Sequence, residues 1–272
     1  MFAADPKTLQ RIEPVVRRVL ICDPNAASAR MLGDLLKGLG ARQLAFEPEE
    51  RRALEMARDL DPGIVFVERS GPRLDGESLT RRLRRSSYPC RKAPVIMVTA
   101  DATASSIKGA RDAGVHEFLR KPFTAGDLLK RVEIVAVKPR DWIEAVQYVG
   151  PDRRRFNSGE YAGPRKRRAD AGAGASKAEV QADAMDRCLR ILRSAVHHFA
   201  TDPEQAVRAI AEQSQQLKKH AVANANTGAA VAVAGLELAL SAGAPSRETL
   251  ASSCAEVIQA FGGIKETVQN VA

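Results

Sequence analysis

The sequence has few of the residues from which metal sites and disulfide frameworks are built. Its 272 residues include only four histidines, and its four cysteines are widely spaced, at Cys22, Cys90, Cys188 and Cys254. No C-x-x-C pair is present, so neither a zinc site nor a disulfide framework is indicated. Reduced cytosol is therefore the expected compartment.

Long apolar runs are also missing. The Ala-rich stretch at 221–244 is interrupted by Asn224, Asn226 and Glu237, which makes it too polar for a spanning helix. The N-terminal residues M-F-A-A-D-P-K lack the apolar region of a signal peptide. We expect a cytoplasmic protein without membrane insertion. Because neither a nucleotide-binding loop nor a metal cluster is evident, we do not expect an enzyme.

Acidic residues are in deficit overall, and the excess of basic residues is unevenly distributed. The net charge of +9 comes from 42 Lys and Arg against 33 Asp and Glu. By region, the basic and acidic counts are 26 and 20 for residues 1–150, 8 and 4 for 151–180, and 8 and 9 for 181–272. The slightly acidic C-terminal region does not have the basic face expected of a DNA-binding module, so nucleic acid is an unlikely partner.

Strand and helix patterns alternate through the first half of the chain. Short apolar strands are predicted at 19–22, 43–46, 64–67, 95–99 and 117–119, and helices at 28–39, 49–60, 79–85, 103–113 and 125–137. Five strands that alternate with five helices predict a parallel sheet covered on both faces. The expected class is a flavodoxin-like α/β fold with strand order 2-1-3-4-5 and a site at the carboxyl ends of its strands.

Polar residues follow these strands in a recognisable order. They are Asp23 and Pro24 after strand 1, Glu68 after strand 3, Thr99 and Ala100 after strand 4, and Phe118 and Lys121 at strand 5. With the Gly-closed loop G-I-V-F-V-E-R-S-G-P-R-L-D-G at 63–76, this set resembles the bacterial response-regulator receiver domain family. The resemblance covers about half of the chain and implies that Glu68 occupies the position of the phospho-accepting Asp.

Two departures from the family pattern affect its phosphoryl chemistry. The resemblance implies a Mg²⁺ site formed by Asp23, Glu68 and the backbone carbonyl of Ser70, but Pro24 stands where the family has a second acid. Losing that carboxylate removes one ligand charge, so Mg²⁺ binding is expected to be weak or lost. Otherwise no cofactor is expected.

The longer side chain of Glu68 moves its carboxylate outward by one methylene. We expect it to reach Lys121 as an ion-pair partner and Thr99 as a hydroxyl donor, so that it partly imitates the phosphorylated state. The domain would then be an atypical receiver, or pseudo-receiver. Two alternatives remain: Glu68 is phosphorylated itself, or it is only a solvated acid at the edge of a degenerate pocket.

Two surfaces of the predicted receiver are candidates for binding. Arg81, Arg82, Arg84 and Arg85 form either a docking patch for an acidic partner or an ordinary solvated helix face. By resemblance, Ile107, Arg111 and Lys130 lie on a face that receivers use for dimerisation or partner binding. Their alternative interpretation is ordinary surface.

The second half of the chain changes in composition. An extension at 141–151 is followed by basic clusters at 153–155 and 165–168, which are separated by Gly, Ser and Ala, as in a flexible linker. Apolar residues at helical spacing then predict four helices, and an all-α bundle for interaction or dimerisation. The predicted divisions are a tail at 1–16, the receiver at 17–140, the extension and linker at 141–178, and the helical domain at 179–272.

The predicted function is that of an atypical response regulator in a bacterial two-component phosphorelay. It would act through protein–protein contacts, largely without phosphorylation. Expected partners are a histidine kinase, a response regulator or another signalling protein, and a homodimer is an open possibility. One alternative is a DNA-associated transcriptional regulator. Another is phosphotransfer through His220, although the Lys-Gly that follows a phosphotransfer histidine is replaced by Ala223 and Asn224.

Overall fold

The computed structural model describes residues 5–153, 177–243 and 245–263, and it divides into two compact units. One unit contains the residues up to 143 together with 148–161, and the other contains 144–147 and the residues from 162 onward. The predicted flexible linker lies almost wholly outside the described residues, as does the basic cluster at 165–168.

The first unit is built on a parallel sheet of five strands, which are β1 Arg18–Cys22, β2 Gln43–Phe46, β3 Ile64–Val67, β6 Val95–Thr99 and β7 Glu117–Arg120. Their order across the sheet is β2-β1-β3-β6-β7. This is the predicted order 2-1-3-4-5, which is confirmed. The numbering differs because a short antiparallel hairpin, β4 Ser70–Gly71 and β5 Leu74–Asp75, lies outside the sheet.

Helices cover both faces of this sheet. They are α1 Pro6–Val16, α2 Ala26–Gly38, α3 Glu50–Leu60, α4 Gly76–Arg85, α5 Ala104–Ala113 and α6 Ala125–Val137. Side chains of β1 alternate between two cores: Val19 and Ile21 pack with α1, α2 and α6, whereas Leu20 and Cys22 pack with α3, α4 and α5. Polar caps fix where helices begin, as in α2, where the Asn25 side chain accepts a hydrogen bond from the Ser28 backbone.

Helix α1 corrects the prediction of an N-terminal tail. Ile12 and Val16 are fully buried in the core, and α1 packs against α6. An Arg42 to Glu13 ion pair of 2.6 Å links α1 to the chain that follows α2. Residues 6–16 therefore belong to the folded unit.

One member of the predicted arginine docking patch, Arg84, is not at the surface. Arg84 is fully buried, and its guanidinium donates hydrogen bonds to the backbone oxygens of Gly114, Arg91 and Ala93. Burial lowers the pKa of Arg84 to about 9. Arg81 and Arg82 pair with Glu77 and Glu50, at 2.9 and 3.1 Å. Arg84 is therefore not available to a partner, whereas Arg81 and Arg82 are exposed, and a docking role for these two stays a prediction.

The extension forms a second small hairpin, β8 Trp142–Glu144 with β9 Val149–Pro151. The Tyr148 hydroxyl donates a hydrogen bond of 2.6 Å to the Pro151 backbone oxygen. The Arg153 guanidinium lies 4.5 Å from the centre of the Tyr148 ring. Tyr148 is buried, so this part of the extension belongs to the first unit, as its apolar residues predict.

The second unit is helical, and the prediction of a helical domain after the receiver is confirmed. Its helices are α7 Lys177–His197, α8 Pro203–Ala223, α9 Thr227–Ser241 and α10 Arg247–Ala260. Each packs on the next, and α10 packs on α7, around a core that includes Leu192, Ile210, Leu236 and Val257. None of the helices in the described ranges is both long enough and apolar enough to cross a membrane.

Candidate functional site

The candidate site lies at the carboxyl edge of the parallel sheet. The strand register places Cys22 beside Val67, and the residues that follow these two, Asp23 and Glu68, therefore emerge together. β7 pairs with β6, ends at the same edge of the sheet and leads directly to Lys121. The sheet thus brings together side chains that lie up to 98 positions apart in sequence.

Lys121 connects the two carboxylates. Its Nζ lies 2.8 Å from Asp23 Oδ2 and 2.7 Å from Glu68 Oε2. The exposed fractions of the three side chains are 22% for Lys121, 7% for Asp23 and 14% for Glu68, so the bridge is mostly removed from solvent. Charge-assisted hydrogen bonds in such a shielded place are stronger than those between exposed groups. The predicted pairing of Glu68 with Lys121 is present in the structure.

Every carboxylate oxygen of this pair already has a donor. Asp23 Oδ1 accepts from the backbone N–H of Asn25 at 2.8 Å, and Asp23 Oδ2 accepts from the Ser28 hydroxyl at 2.8 Å as well as from Lys121. Glu68 Oε1 accepts from the backbone N–H of Arg69 at 2.8 Å. The two negative charges are therefore held in place by the protein itself.

The titration of Lys121 agrees with this geometry. Burial alone would lower its pKa, but hydrogen bonds and charge from Asp23 and Glu68 outweigh that effect and raise the pKa above its usual value. A raised folded-state pKa means that the contribution of charged Lys121 to stability is present below its unfolded pKa and is lost as the pH rises through the folded value. The ammonium is therefore charged throughout the neutral range.

Pro24 occupies space beside the loop that follows Glu68. A Cβ added to Gly71 would lie 2.2 Å from Pro24 Cγ, so the proline ring packs closely against the Gly71 backbone. Ser70, whose carbonyl the resemblance implies as a third Mg²⁺ ligand, lies in the exposed strand β4 of the same loop.

The residues of the site do not fit a Mg²⁺ ion. Octahedral coordination of Mg²⁺ requires several free oxygen ligands, but the oxygens of Asp23 and Glu68 accept hydrogen bonds and share an ammonium ion. The position of a further acid is taken by Pro24, which offers no side-chain oxygen. In the described ranges, no group of three or more His, Cys, Asp and Glu side chains is placed to hold a metal ion.

Thr99 does not have the predicted role. Its hydroxyl accepts a hydrogen bond of 3.3 Å from the backbone N–H of Asp101. In the described part of the chain, the donors to the Glu68 carboxylate are the Arg69 backbone N–H and Lys121 Nζ, and not Thr99. Thr99 is buried and Ala100 is exposed. Phe118 is 3% exposed and packs inward in the core with α3, α4 and α5.

Arg69 is a site residue that the sequence did not reveal. Its guanidinium pairs with Asp101 after β6 and, through Nε at 3.4 Å, with Glu77 on α4. Hydrogen bonds from Ser106 and from the Thr103 backbone, together with the charge of Arg69, lower the pKa of Asp101. Arg69 therefore links the loop after Glu68 to the loop after Thr99. We call these three residues, Arg69, Asp101 and Glu77, the arginine clamp.

The three residues predicted to contact a partner on the α5 and α6 side have different environments. Ile107 is partly buried against the core, Arg111 pairs with the neighbouring Asp112 at 3.0 Å, and Lys130 is exposed. A partner role for this face stays a prediction.

His220 lies in the second unit, in the last turn of α8. It is half-buried and lines an open cavity of about 360 Å³, together with residues that include Met185, Asn224 and Phe261. Its backbone oxygen accepts a hydrogen bond of 2.9 Å from the Asn224 side chain.

Comparison with known proteins identifies the family of the first half of the chain. The chain belongs to the response regulator receiver domain family, whose model matches residues 19–133. Residues 134–272 lie outside that match. The first unit is thus a receiver domain of two-component signalling, as the resemblance implies.

Individual relatives share the receiver region. Chemotaxis protein CheY of Pseudomonas aeruginosa is 31% identical over 116 residues, which cover 43% of this chain and 93% of that protein. Transcriptional regulatory protein PdtaR of Mycobacterium tuberculosis is 29% identical over 127 residues, which cover 47% of this chain and only 60% of PdtaR. A putative response regulator structure from Chloroflexus aurantiacus is 26% identical, with a TM-score of 0.42, and covers 45% of this chain and 98% of that one.

Because Pro24 and Gly71 are in close contact, we expect the effects of substitutions at these two positions on stability to be coupled. Gly71→Ala should lower the free energy of unfolding by about 1–3 kcal/mol, because the new methyl overlaps the proline ring. In a Pro24→Ala background the same change should cost at least about 1 kcal/mol less. Urea unfolding of the four proteins of this cycle measures the coupling. Gly126→Ala is the control, because a Cβ there meets its nearest atom at an ordinary 3.7 Å and should not destabilise the protein. Equal costs in both backgrounds would show that the contact is not tight.

The arginine clamp predicts a local change on removal of Arg69. Arg69→Ala should speed amide hydrogen exchange in residues 100–106 by about two- to fivefold, as expected for the loss of a partly exposed ion pair. Arg81→Ala is the matched control, because Arg81 also pairs with Glu77 but does not contact Asp101. Exchange that is unchanged in Arg69→Ala, or equally fast in Arg81→Ala, would contradict the clamp.

Proposed function

We propose that this chain is a pseudo-receiver response regulator, which signals through protein contacts and largely without phosphorylation of its acceptor position. The observation that carries the proposal is the Lys121 bridge between Asp23 and Glu68. In-line phosphoryl transfer needs a free carboxylate nucleophile and a cation that can receive the developing charge. Here the Glu68 carboxylate and the Lys121 ammonium form an ion pair with each other.

The position of the Glu68 carboxylate supports a built-in imitation of the phosphorylated state. Its Oε2 lies within hydrogen-bond distance of Lys121, the group that the family resemblance assigns to the transferred phosphoryl oxygens. The Thr99 hydroxyl does not complete this arrangement. The proposed imitation is therefore partial and rests on the lysine contact.

The proposed partners are other signalling proteins, such as a histidine kinase or a second response regulator. Two features support recognition rather than chemistry: the receiver fold is retained, and a helical unit follows it. Neither alternative function is favoured by a specific observation. The region 181–272 has more acidic than basic residues, and His220 is half-buried at a helix end.

Intact mass spectrometry after incubation with an acyl-phosphate donor and Mg²⁺ tests this proposal. We expect no gain of a phosphoryl group on the wild-type chain, while an ordinary receiver in the same assay is phosphorylated. The double variant Pro24→Asp with Glu68→Asp restores both family acids, so we expect it to gain phosphoryl mass.

The variants also separate the alternatives. A gain on the wild type that disappears in Glu68→Gln would contradict the pseudo-receiver and make Glu68 an acceptor. A gain that disappears only in His220→Ala would place the reaction in the helical unit and would likewise contradict the proposal.

A further inference from the structure

Three buried polar side chains of the second unit meet at a short segment of the chain. Glu144 is 1% exposed, and Gln205 and Gln213 of α8 are 1% and 4% exposed. Gln205 Nε2 donates a hydrogen bond of 2.8 Å to Glu144 Oε1, and Gln213 Nε2 donates one of 3.3 Å to the Glu144 backbone oxygen. Residues 144–147, Glu-Ala-Val-Gln, belong to this unit, and we call them the strap.

An aliphatic side chain anchors the strap. Val146 is 5% exposed and belongs to the core of the second unit, together with Leu192 of α7 and Ile210 of α8. Residues two positions apart in an extended segment point to the same side, so Glu144 and Val146 can both face the helices. The strap is therefore held in two ways: amide donors bind its carboxylate, and an apolar core receives its valine.

The last residue of the strap is held at the surface. His198 Nδ1 lies 2.9 Å from the Ser194 backbone oxygen, so Nδ1 carries the proton and Nε2 is left as an acceptor. Gln147 Nε2 donates to His198 Nε2 at 2.9 Å. We call Gln205, Gln213 and His198 the strap site. A donor to a backbone oxygen and a core for one side chain are what the binding of an extended peptide requires.

The strap fits this site imperfectly. Gln205 Oε1 is buried and has no hydrogen-bond partner in the part of the chain that the structure describes. A buried acceptor without a partner has lost its hydration without compensation. The bonds from Gln213 Nε2 to the Glu144 oxygen and from Gln205 Nε2 to the Ala145 oxygen are long, at 3.3 and 3.4 Å. Displacement of the strap would let water reach the Gln205 amide, which offsets part of the free-energy cost of opening.

We propose that the strap is releasable, and that the strap site binds an extended segment of a protein partner when the strap leaves. The segment that fits has a carboxylate residue followed two positions later by an aliphatic residue, because Gln205 donates to the first and the core receives the second. The seated strap has this pattern and competes with the partner. This inference concerns the second unit alone, and it goes beyond the pseudo-receiver proposal without depending on it.

Thiol labelling of the full chain carrying Val146→Cys tests whether the strap opens by itself. The four native cysteines are buried and free. The introduced cysteine should be labelled at least about tenfold faster than Cys254, which is 2% exposed in the same core. Its labelling rate should also depend less on urea, because opening of the strap exposes little surface. Equal rates with the same urea dependence would show that the strap leaves only when the unit unfolds, and would overturn the proposal.

The bond from Gln213 should control this opening. Gln213→Ala in the Val146→Cys chain removes a donor to the strap, so labelling of the introduced cysteine should rise about three- to tenfold relative to Cys254. Gln215→Ala is the matched control, because Gln215 is an exposed residue of the same helix. Equal acceleration in both variants, or none in Gln213→Ala, would contradict a strap held by this site.

Hydrogen exchange of the wild-type chain gives a second readout that needs no substitution at Val146, in case Val146→Cys disturbs the fold. The amides of residues 145–147 should exchange through an opening that depends less on urea than the opening that exposes α8. Exchange of both segments through one and the same opening would mean that the strap is not releasable.

A synthetic peptide of residues 142–148, W-I-E-A-V-Q-Y, tests whether the strap site binds a segment in trans. Binding of the peptide to the open form shifts the population toward that form, so excess peptide should speed labelling of the introduced cysteine at least about threefold. A control peptide with alanine at the glutamate and valine positions should have no such effect. If W-I-E-A-V-Q-Y leaves the rate unchanged, or if the control peptide acts equally, the strap site is not a peptide-binding site.

Discussion

The contact between Lys121 and two carboxylates is the interaction on which this account of the receiver depends. It joins the ends of β1, β3 and β7 across sequence separations of 53 and 98 residues. Because the three side chains are mostly shielded from solvent, removing the single positive charge of Lys121 would leave two carboxylates without their counter-charge, which is costly. The same bridge stabilises the edge of the sheet and occupies the groups that phosphoryl chemistry would use.

Residues around the Lys121 bridge also hold the loop that follows Glu68. Pro24 replaces an acid and packs against Gly71, so the loop after Glu68 is held by an apolar contact where the family resemblance implies a metal ligand. Arg69 also holds this loop, through ion pairs with Asp101 and Glu77. Glu68 therefore lies in a site whose parts are linked to each other by direct contacts. These contacts support the proposed pseudo-receiver role, in which the domain presents a constant surface to its partners.

The sequence predicts the fold well because the relevant signals are local or follow from topology. Alternating strand and helix patterns imply a parallel sheet, and parallel strands bring their carboxyl ends to one edge, so the meeting of Asp23, Glu68 and Lys121 could be anticipated. The role of Thr99 could not be anticipated, because whether its hydroxyl reaches Glu68 depends on the three-dimensional course of the loop after β6. In that loop the Asp101 backbone donates to Thr99, and the Asp101 side chain pairs with Arg69, 32 residues away in sequence. Helix α1 was missed for a similar reason, since only its tertiary contacts show that Ile12 and Val16 are core residues. The two-residue strands β4 and β5 are too short to give a pattern.

The most direct test of the central claim is an NMR titration of the receiver site with Mg²⁺, followed through the backbone amides of Asp23, Glu68 and Lys121 in the full chain. If Lys121 satisfies both carboxylates, millimolar Mg²⁺ should cause no saturable shift at these residues, whereas Lys121→Met should make the site responsive by freeing both carboxylates. Saturable shifts at these residues in the wild type would mean that the metal displaces the lysine, and they would contradict the account.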